Sequence, residues 1–550
     1  MLRIVNGQVY DPANKIQGEV RDIYMEGGKV VAGPESPAGA ARLTETIDAA
    51  GCAVMPGGVD IHSHVAGAKV NSGRIMCPED HYDFFRAKTE VTRAGSGYTV
   101  PSTFLTGYLY TQLGYTTVFE AAVPPLEARH AHEELHDIPL LDAGFYTLMG
   151  NNYMVMKVLS DPDVGGRQER LREVVAWLLR STKGYAVKVV NPGGVEAWKW
   201  SRGGVTLDTP VPPLGITPRQ IICGLAAAAD ELSLPHPMHL HANRLGEPGN
   251  YAATLDTMRA LEGHRVHFTH LQFHSYKAAK GGGFASAAAP IAEYLNKHPE
   301  FTCDAGQVVF GPATTMTADS PMQFRLHHMT GNKWGNTDVE METGSGVVPI
   351  VYRPGVLANG VQWAVGLELM LLIADPWQVF LTTDHPNAGP FTAYPDIIHL
   401  LMDASYRRSR LEELHPKCGR FTCLGELTRE YSLDEIAIIT RAGPARALGL
   451  KNKGHLGPGA DADVAVYRLQ DDKGKMFAQP EYVIKQGQVV VRGGRVTDSF
   501  GGKTFFVTPD CAGGLPADLA GIFSDYYSIA LANFPVEDEY VTRPEVVPCS

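Results

Sequence analysis

The segment VMPGGVDIHSHV at residues 54–65 is an apolar run that ends in two histidines separated by one residue. In an extended strand, residues two apart point to the same side, so His62 and His64 share one face. A barrel strand presents its carboxyl end at the catalytic face, where two imidazoles can bind one cation. Taken alone, the His-x-His pattern could also be two polar side chains at a strand end without a metal. The surrounding pattern PGGVDxHxH favours a pair of metal ligands.

Outward from this segment, residues 56–446 alternate apolar runs with helical patterns. Near-continuous apolar strands separated by helices indicate a parallel sheet covered by helices, and the length suits a (β/α)8 TIM-type barrel with insertions. The amphipathic runs at 167–181 and 218–232 predict two of the helices. Strands are predicted at 114–121, 184–190, 237–243, 265–270 and 379–385.

Both ends of the chain combine short apolar runs with tight turns. Asn6-Gly7 and Gly27-Gly28 lie between such runs near the amino terminus, and Gly493-Gly494 does so near the carboxyl terminus. These are hairpin signals, so residues 1–55 and 447–505 are predicted to form one small composite β-sandwich. Residues 506–550 show little periodicity, and we interpret them as a C-terminal arm that packs on the body or on a partner.

The composition excludes several classes of protein. The formal net charge is −12, and no cluster of five basic residues occurs, which argues against nucleic-acid binding. The chain has no apolar stretch of membrane-spanning length and begins without a signal-peptide pattern, so a cytoplasmic location with no membrane contact is predicted. Among the eight cysteines there is no Cys-x-x-Cys, which argues against a disulfide framework and a structural zinc or iron–sulfur site.

Lys188 is the one charged residue in the apolar run 184–190. Val187 and Val189 are predicted to face the helices, which leaves Lys188 facing the barrel interior. A desolvated lysine loses its proton readily, and the neutral amine can react with CO2 to form a carbamate that bridges two cations. Pairing with a carboxylate and extension to the surface are the alternatives.

Two later strands end in further histidines. His239 and His241 form a second His-x-His, in which His241 is nearer the strand end and is the predicted ligand. His239 is interpreted as an outer partner or a core histidine. His270 lies where the next apolar run ends, whereas His267 is interpreted as structural.

Asp384 directly follows the last predicted strand, a position where short carboxylates also commonly cap helices. As the partner of four histidines and a lysine, it completes a ligand set that suits Zn2+ best. Nearby, His274 and Tyr276 are candidates for the substrate cleft, with surface positions as an equal alternative.

These motifs resemble the amidohydrolase superfamily over nearly the whole chain, from IDAAGCAVMPGGVDIHSHV (47–65) to GHLGPGADADVAVY (454–467). Rarer strings resemble a narrower family, the catalytic A subunits of formylmethanofuran dehydrogenases and of bacterial formyltransferase/hydrolase complexes. Those strings are KVVNPGG (188–194), HFTHLQFHSY (267–276), GQVVFGPATTMTADSP (306–321) and TTDHPNAGPF (382–391).

The resemblance implies two divalent metal ions, with Zn2+ preferred. One ion is held by His62, His64, carboxylated Lys188 and Asp384, and the other by Lys188, His241 and His270. We predict in addition that Asp384 is the catalytic proton carrier and that Asn191, with His274 and Tyr276, contacts the substrate.

The implied reaction is reversible hydrolysis of an N-formyl methanofuran-type carrier to formate and free amine, in one-carbon metabolism. The chain is expected to work with the other subunits of a formyltransferase/hydrolase-type complex. The alternatives are a formylmethanofuran dehydrogenase subunit that condenses formate with methanofuran, a stand-alone dihydropyrimidinase- or D-aminoacylase-like enzyme, and a non-catalytic scaffold. Asn243 follows Ala242 where cyclic-amide hydrolases usually have glutamate, which weakens the hydantoinase interpretation.

Overall fold

The computed structural model describes residues 1–34, 44–201, 204–280, 283–337, 345–510 and 515–550. Eight parallel strands, here numbered β1–β8, lie side by side in chain order. An isolated parallel bridge between Ser63 and His385 brings β1 against the segment after β8 and closes the ring. The strands are Gly58–Ser63, Tyr115–Val123, Asp142–Leu148, Ala186–Val190, Met238–His241, Val266–Phe268, Phe301–Asp304 and Val379–Phe380.

A helix follows each strand, so the predicted (β/α)8 barrel is confirmed. Both helices predicted at 167–181 and 218–232 are present, and the second starts with a reciprocal capping box between Thr217 and Gln220. The eight helices on the outside of the barrel are Thr103–Gln112, Ala128–Asp137, Arg167–Thr182, Pro218–Glu231, Tyr251–Ala260, Ala288–Leu295, Leu357–Leu372 and Tyr394–Met402.

Segments from both ends of the chain share a seven-stranded sheet beside the barrel, in which Cys52–Pro56 pairs antiparallel with Val464–Arg468. Its order is Arg495–Val496, Gln488–Arg492, Tyr482–Lys485, Val464–Arg468, Cys52–Pro56, Gln8–Asp11 and Ile16–Val20. A four-stranded sheet of Lys29–Val31, Ile23–Glu26, Leu2–Val5 and Glu45–Asp48 accompanies it. The strands of these two sheets support the predicted division of the chain into a composite sandwich (1–55 with 447–505), a barrel (56–446) and a C-terminal arm (506–550). The exact boundaries of the three units stay a prediction.

Between β7 and β8 the chain forms an inserted antiparallel sheet; the sequence predicted insertions in the barrel but neither this position nor these strands. Gly311–Thr317 pairs with Ser345–Tyr352 over seven residue pairs, and Gly335–Thr337 adds a third strand. Helix Ser320–Thr330 connects the first strand to the third. The insertion lies next to the carboxyl ends of the barrel strands, so it forms one wall of the cleft described below.

The C-terminal segment packs on the barrel. Strand Thr504–Phe506 pairs with Ala143 of β3 and with Pro544–Val546. Phe534 stacks on Trp177 of a barrel helix at a ring distance of 4.9 Å. Residues 511–514 of the predicted arm, and 35–43 of the predicted sandwich, lie outside the described residues.

A cluster of buried charges, which includes Lys453, Lys485, Asp142 and Asp463, joins the terminal sheets to the amino end of the barrel. Lys485 Nζ lies 2.7 Å from Asp142 Oδ2, at the start of β3, and 2.9 Å from Asp463 Oδ2. Lys453 contacts the same two carboxylates, at 2.6 Å from Asp463 Oδ2. Because no side chain of the four is more than 6% exposed, losing one charge leaves the others buried without full compensation.

No helix in the described part of the chain is long and apolar enough to cross a membrane.

Candidate metal centre and cleft

The closed barrel brings His62, His64 and Asp384 together. His62 is in β1 and His64 follows it, and Asp384 Oδ1 lies 2.9 Å from His62 Nε2 and 3.3 Å from His64 Nε2. All three side chains are buried. Their candidate ligand atoms lie within 4.8 Å of one another, a spacing that can hold a metal ion.

Lys188 lies in the middle of β4, where the register pairs it with Leu148 of β3 and His239 of β5. The residue is 1% exposed, and among the described residues its Nζ has no hydrogen-bond partner. Burial lowers the pKa of Lys188 to about 7, although Asp304 and Asp384 act in the opposite direction. The amine is therefore poised to be neutral, the form that reacts with CO2.

His241 and His270 form the other side of the centre. Their rings are 4.7 Å apart, and His270 lies 5.4 Å from the His62 ring. Burial lowers the pKa of both side chains, which favours the neutral imidazole that binds metals. His241 Nε2 lies 3.3 Å from Oδ2 of Asp319, a carboxylate that the sequence did not single out.

The residues present fit a divalent cation. Imidazole and carboxylate donors meet in a buried space, and both Lys188 Nζ and His270 Nδ1 are buried without a partner in the described part of the chain. Such orphaned polar atoms are rare in folded proteins and require an explanation. The centre therefore includes His and Asp clusters able to bind metal.

Three candidate residues after barrel strands have left-handed backbone. Asn191, His270 and Asp384 have φ angles of 42°, 36° and 47°. Such conformations cost on the order of 1–3 kcal/mol each in non-glycine residues and cluster at functional sites. Strand β8 ends at Phe380, although a strand was predicted to residue 385. The backbone of His270 packs directly against Gly306. Only glycine fits at position 306, because a Cβ there would lie 2.4 Å from the Cβ of His270.

Glu120 is a buried residue of β2 that orients His64, and the sequence analysis missed it. Its carboxylate accepts hydrogen bonds from His64 Nδ1 at 3.1 Å and from the backbone N–H groups of Val65 and Ala66. Burial alone raises the pKa of a carboxyl group, but the adjacent Lys69 and His64 lower that of Glu120 to about 2. The sequence signal that could have identified Glu120 is a single acidic residue within an otherwise apolar strand.

Asp304, at the end of β7, was also missed. It accepts a hydrogen bond from the backbone N–H of His270 at 2.7 Å and contacts His267 Nε2 at 3.1 Å. His267 also contacts Thr302 Oγ1 at 2.9 Å, which agrees with its interpretation as structural. Asp304 thus fixes the backbone of one candidate ligand.

A cavity of about 1010 Å³ opens beside the centre. His241, His270, Asp384 and Asn387 form its floor, and Thr315 of the inserted sheet is part of the wall. The three candidate substrate residues are buried beside the histidines and are not among the cavity-lining residues that the structure describes; they stay predictions. They are Asn191, which donates to Asp319 at 2.9 Å, His274, whose ring is 5.3 Å from that of His241, and Tyr276, which accepts from Gln272.

The chain is similar in sequence to a known protein family and to two individual proteins. A family model described as "Amidohydrolase family" matches residues 45–491. The chain is 47% identical to Protein FwdA of Methanocaldococcus jannaschii, covering 99% of this chain and 98% of that protein. It is 40% identical to the A subunit of the formyltransferase/hydrolase complex Fhc of Methylorubrum extorquens, covering 98% and 97%.

Among solved structures, the chain is similar to one in the crystal structure of the formyltransferase/hydrolase complex FhcABCD from Methylorubrum extorquens in complex with methylofuran. The TM-score is 0.92 at 39% identity, and the similarity covers 100% of both chains. The resemblance seen in the sequence is confirmed.

Proposed function

Because the chain belongs to the amidohydrolase family, we propose that it hydrolyses an N-formyl methanofuran-type carrier to formate and free amine. The reaction is reversible, since the same site can condense formate with the amine. One observation carries the proposal: His62, His64 and Asp384 meet within ligand distance, and Asp384 lines a large cavity. The similarity to one chain of a complex that binds methylofuran supports the choice of carrier.

We assign two divalent ions, preferably Zn2+, to this centre. His62, His64, carboxylated Lys188 and Asp384 hold one, and Lys188, His241 and His270 hold the other. When bound, such ions lower the pKa of a coordinated water and polarise a carbonyl oxygen. The orphaned, readily deprotonated Nζ of Lys188 supports the carboxylation.

Asp384 is the proton carrier in this proposal. Its Oδ1 accepts a hydrogen bond from Asn387 Nδ2 at 2.9 Å, and both residues line the cavity. Burial raises the pKa of Asp384, which makes proton uptake easier than at an exposed aspartate. The carboxylate takes a proton from the attacking water and returns it to the nitrogen of the leaving amine, and the reverse reaction uses the same group.

A substrate panel tests the activity. The purified chain, with any accompanying subunits, is incubated with N-formylfurfurylamine, hydantoin and an N-acetyl-D-amino acid, and each product is quantified. We expect formate from the first compound only. Turnover of hydantoin or the N-acetyl compound at a higher rate would favour the stand-alone alternatives, and a metal-free, inactive chain would favour the scaffold.

We propose that the chain is one subunit of a complex resembling FhcABCD. Both versions predicted from the sequence use this site, the hydrolase to release formate and the dehydrogenase to condense it. Mass identification of subunits that copurify with the tagged chain separates them. A formyltransferase partner without iron–sulfur or molybdopterin sites supports the hydrolase, whereas a partner with such sites supports the dehydrogenase. The cytoplasmic location stays a prediction from the sequence.

A further inference from the structure

Three histidines form a hydrogen-bonded row through the barrel interior, away from the cavity. His62 Nδ1 lies 2.7 Å from His239 Nε2, and His239 Nδ1 lies 2.9 Å from His236 Nε2. The row ends where His236 Nδ1 contacts the backbone carbonyl oxygen of Ala447 at 2.8 Å. All three imidazoles are at most 1% exposed.

The last contact determines the direction of every hydrogen bond in the row. A carbonyl oxygen only accepts, so His236 Nδ1 must carry a proton, and Nε2 of the same neutral ring must accept. His239 therefore donates from Nδ1 and accepts at Nε2. His62 in turn donates from Nδ1, which leaves its Nε2 with a free lone pair.

The opposite direction is unfavourable at one end. If His62 carried its proton on Nε2, every bond would reverse, and an unprotonated His236 Nδ1 would face the Ala447 oxygen at 2.8 Å. In the assigned direction, the two acceptors that face each other are His62 Nε2 and Asp384 Oδ1 at 2.9 Å. A cation bound between His62 Nε2 and the Asp384 carboxylate removes the repulsion between these two acceptors. The repulsion between an unprotonated His236 Nδ1 and the Ala447 oxygen is not removed in this way.

Other neighbours of His62 Nδ1 agree with a donor there. The hydroxyl of Thr269 contacts this nitrogen, and Asp304 Oδ2 lies 3.5 Å away. Both oxygens can accept a hydrogen bond. All three rings are buried, and burial disfavours a second proton on any of them.

A metal between His62 and His239 does not explain the contact. His62, His239 and Asp304 have donor atoms within 4.8 Å of one another. However, two imidazole nitrogens bound to one tetrahedral zinc at 2.0–2.1 Å lie about 3.3 Å apart. The observed 2.7 Å is shorter and is a hydrogen-bond distance.

We propose that His236 and His239 are positioning residues that keep the proton of His62 on Nδ1 and reserve its Nε2 for the metal. The inference rests on the proposed function, because it assigns an ordering device to that metal centre. For His64, the Glu120 carboxylate holds the proton on Nδ1 in the corresponding way. The two ligands of one His-x-His are thus held by separate groups, one anionic and one neutral.

Substitution of His236 tests the proposal, because its own ring contacts none of the proposed ligands directly. In the full chain, His236→Leu removes the acceptor for His239, and His236→Gln keeps one donor and one acceptor. The matched control is His132→Leu, since His132 is also buried and contacts a backbone carbonyl, that of Thr182, at 3.0 Å. Zn2+ stoichiometry and affinity are measured by competition with a chelator, together with the melting temperature.

We expect His236→Leu to bind the Zn2+ assigned to His62 about tenfold less tightly than the wild type, the usual effect of losing an outer partner of a ligand. His236→Gln and His132→Leu should match the wild type in affinity. A folded His236→Leu chain with wild-type affinity for both ions overturns the inference alone. A wild-type chain that binds no divalent ion overturns the proposed metal centre and this inference with it.

A second measurement reports the proton positions in the wild-type chain directly. Nitrogen-15 spectra of the zinc-loaded wild-type chain, with histidine signals assigned from single substitutions, show which nitrogen carries each proton. We expect Nδ1–H at all three positions of the row. A proton on Nε2 of His62 or His239 contradicts the proposal.

Discussion

The backbone N–H of His64 donates a hydrogen bond of 2.7 Å to the carbonyl oxygen of His385. Close by, Thr382 Oγ1 donates to the carbonyl oxygen of His62 at 2.7 Å. These two bonds attach the end of β1 to the segment after β8. Neither hydrogen bond involves the side chain of Asp384, so this side chain can be changed without opening the barrel.

We expect Asp384→Asn to retain metal but to lower turnover by a factor of about 10²–10⁴, the usual contribution of a positioned acid or base. The amide can still coordinate through oxygen but cannot carry the proton. Formate release from N-formylfurfurylamine and metal content measure the two effects, and Asp208→Asn, at an exposed ion pair with Arg219, is the control. Near-normal turnover in Asp384→Asn excludes the assigned role.

Lys188→Ala should lose metal and activity because the proposed bridging ligand is missing. A short carboxylic acid such as propionate, added with Zn2+, is expected to restore part of both by occupying the vacated space. Lys297→Ala, at an exposed i,i+4 ion pair with Glu293, should bind metal normally. Full occupancy of both metal sites in Lys188→Ala without added acid rejects the carbamate.

Reconstitution of the metal-free chain should require CO2 and should depend on pH. Burial lowers the pKa of Lys188 to about 7, so the reactive neutral amine predominates above this pH and decreases about tenfold per unit below it. At constant dissolved CO2, the initial rate of metal-dependent reactivation is expected to rise from about pH 6 and to level off near pH 8. A rate that continues to rise towards pH 10 indicates a lysine with an ordinary pKa instead.

Lys485→Met should lower the free energy of unfolding by about 3–5 kcal/mol, because Asp142 and Asp463 lose a buried cation that lies within 3 Å of both. Chemical denaturation of the full chain measures this loss. Lys475→Met makes the same chemical change at a side chain that is 78% exposed, and it should alter stability by less than about 0.5 kcal/mol. Equal stability of the two variants contradicts a stabilising role for the buried cluster.

The sequence was informative where a residue conflicts with its immediate surroundings. Lys188 is a charge in an apolar strand, and His62 and His64 repeat at the spacing that places both on one face of a strand. Such signals are local, so the barrel, its helices and the proposed ligands could all be predicted from short windows. The resemblance to a known family then combined these windows into one site.

The missing parts depend on contacts between distant segments. Glu120 meets His64, and His236 meets Ala447, only after strand register and helix packing are fixed. The residues next to Glu120 in the sequence do not show that its carboxylate contacts His64, and those next to Ala447 do not show that its carbonyl oxygen contacts His236. Strand β8 ends at Phe380 rather than at 385, and the backbone N–H of Leu381, the next residue, donates to the distant carbonyl oxygen of Ile439.

The position of Ala447 has a consequence for the order of events during protein synthesis. A nascent chain that has emerged from the ribosome through residue 384 already contains every proposed ligand. It still lacks His385, which closes the ring of strands, and the carbonyl oxygen that sets the proton order of His236, His239 and His62. Stable capture of zinc is therefore expected late in translation, after helix Gly443–Ala447 has docked, and nascent chains arrested before this helix should exchange the ion freely.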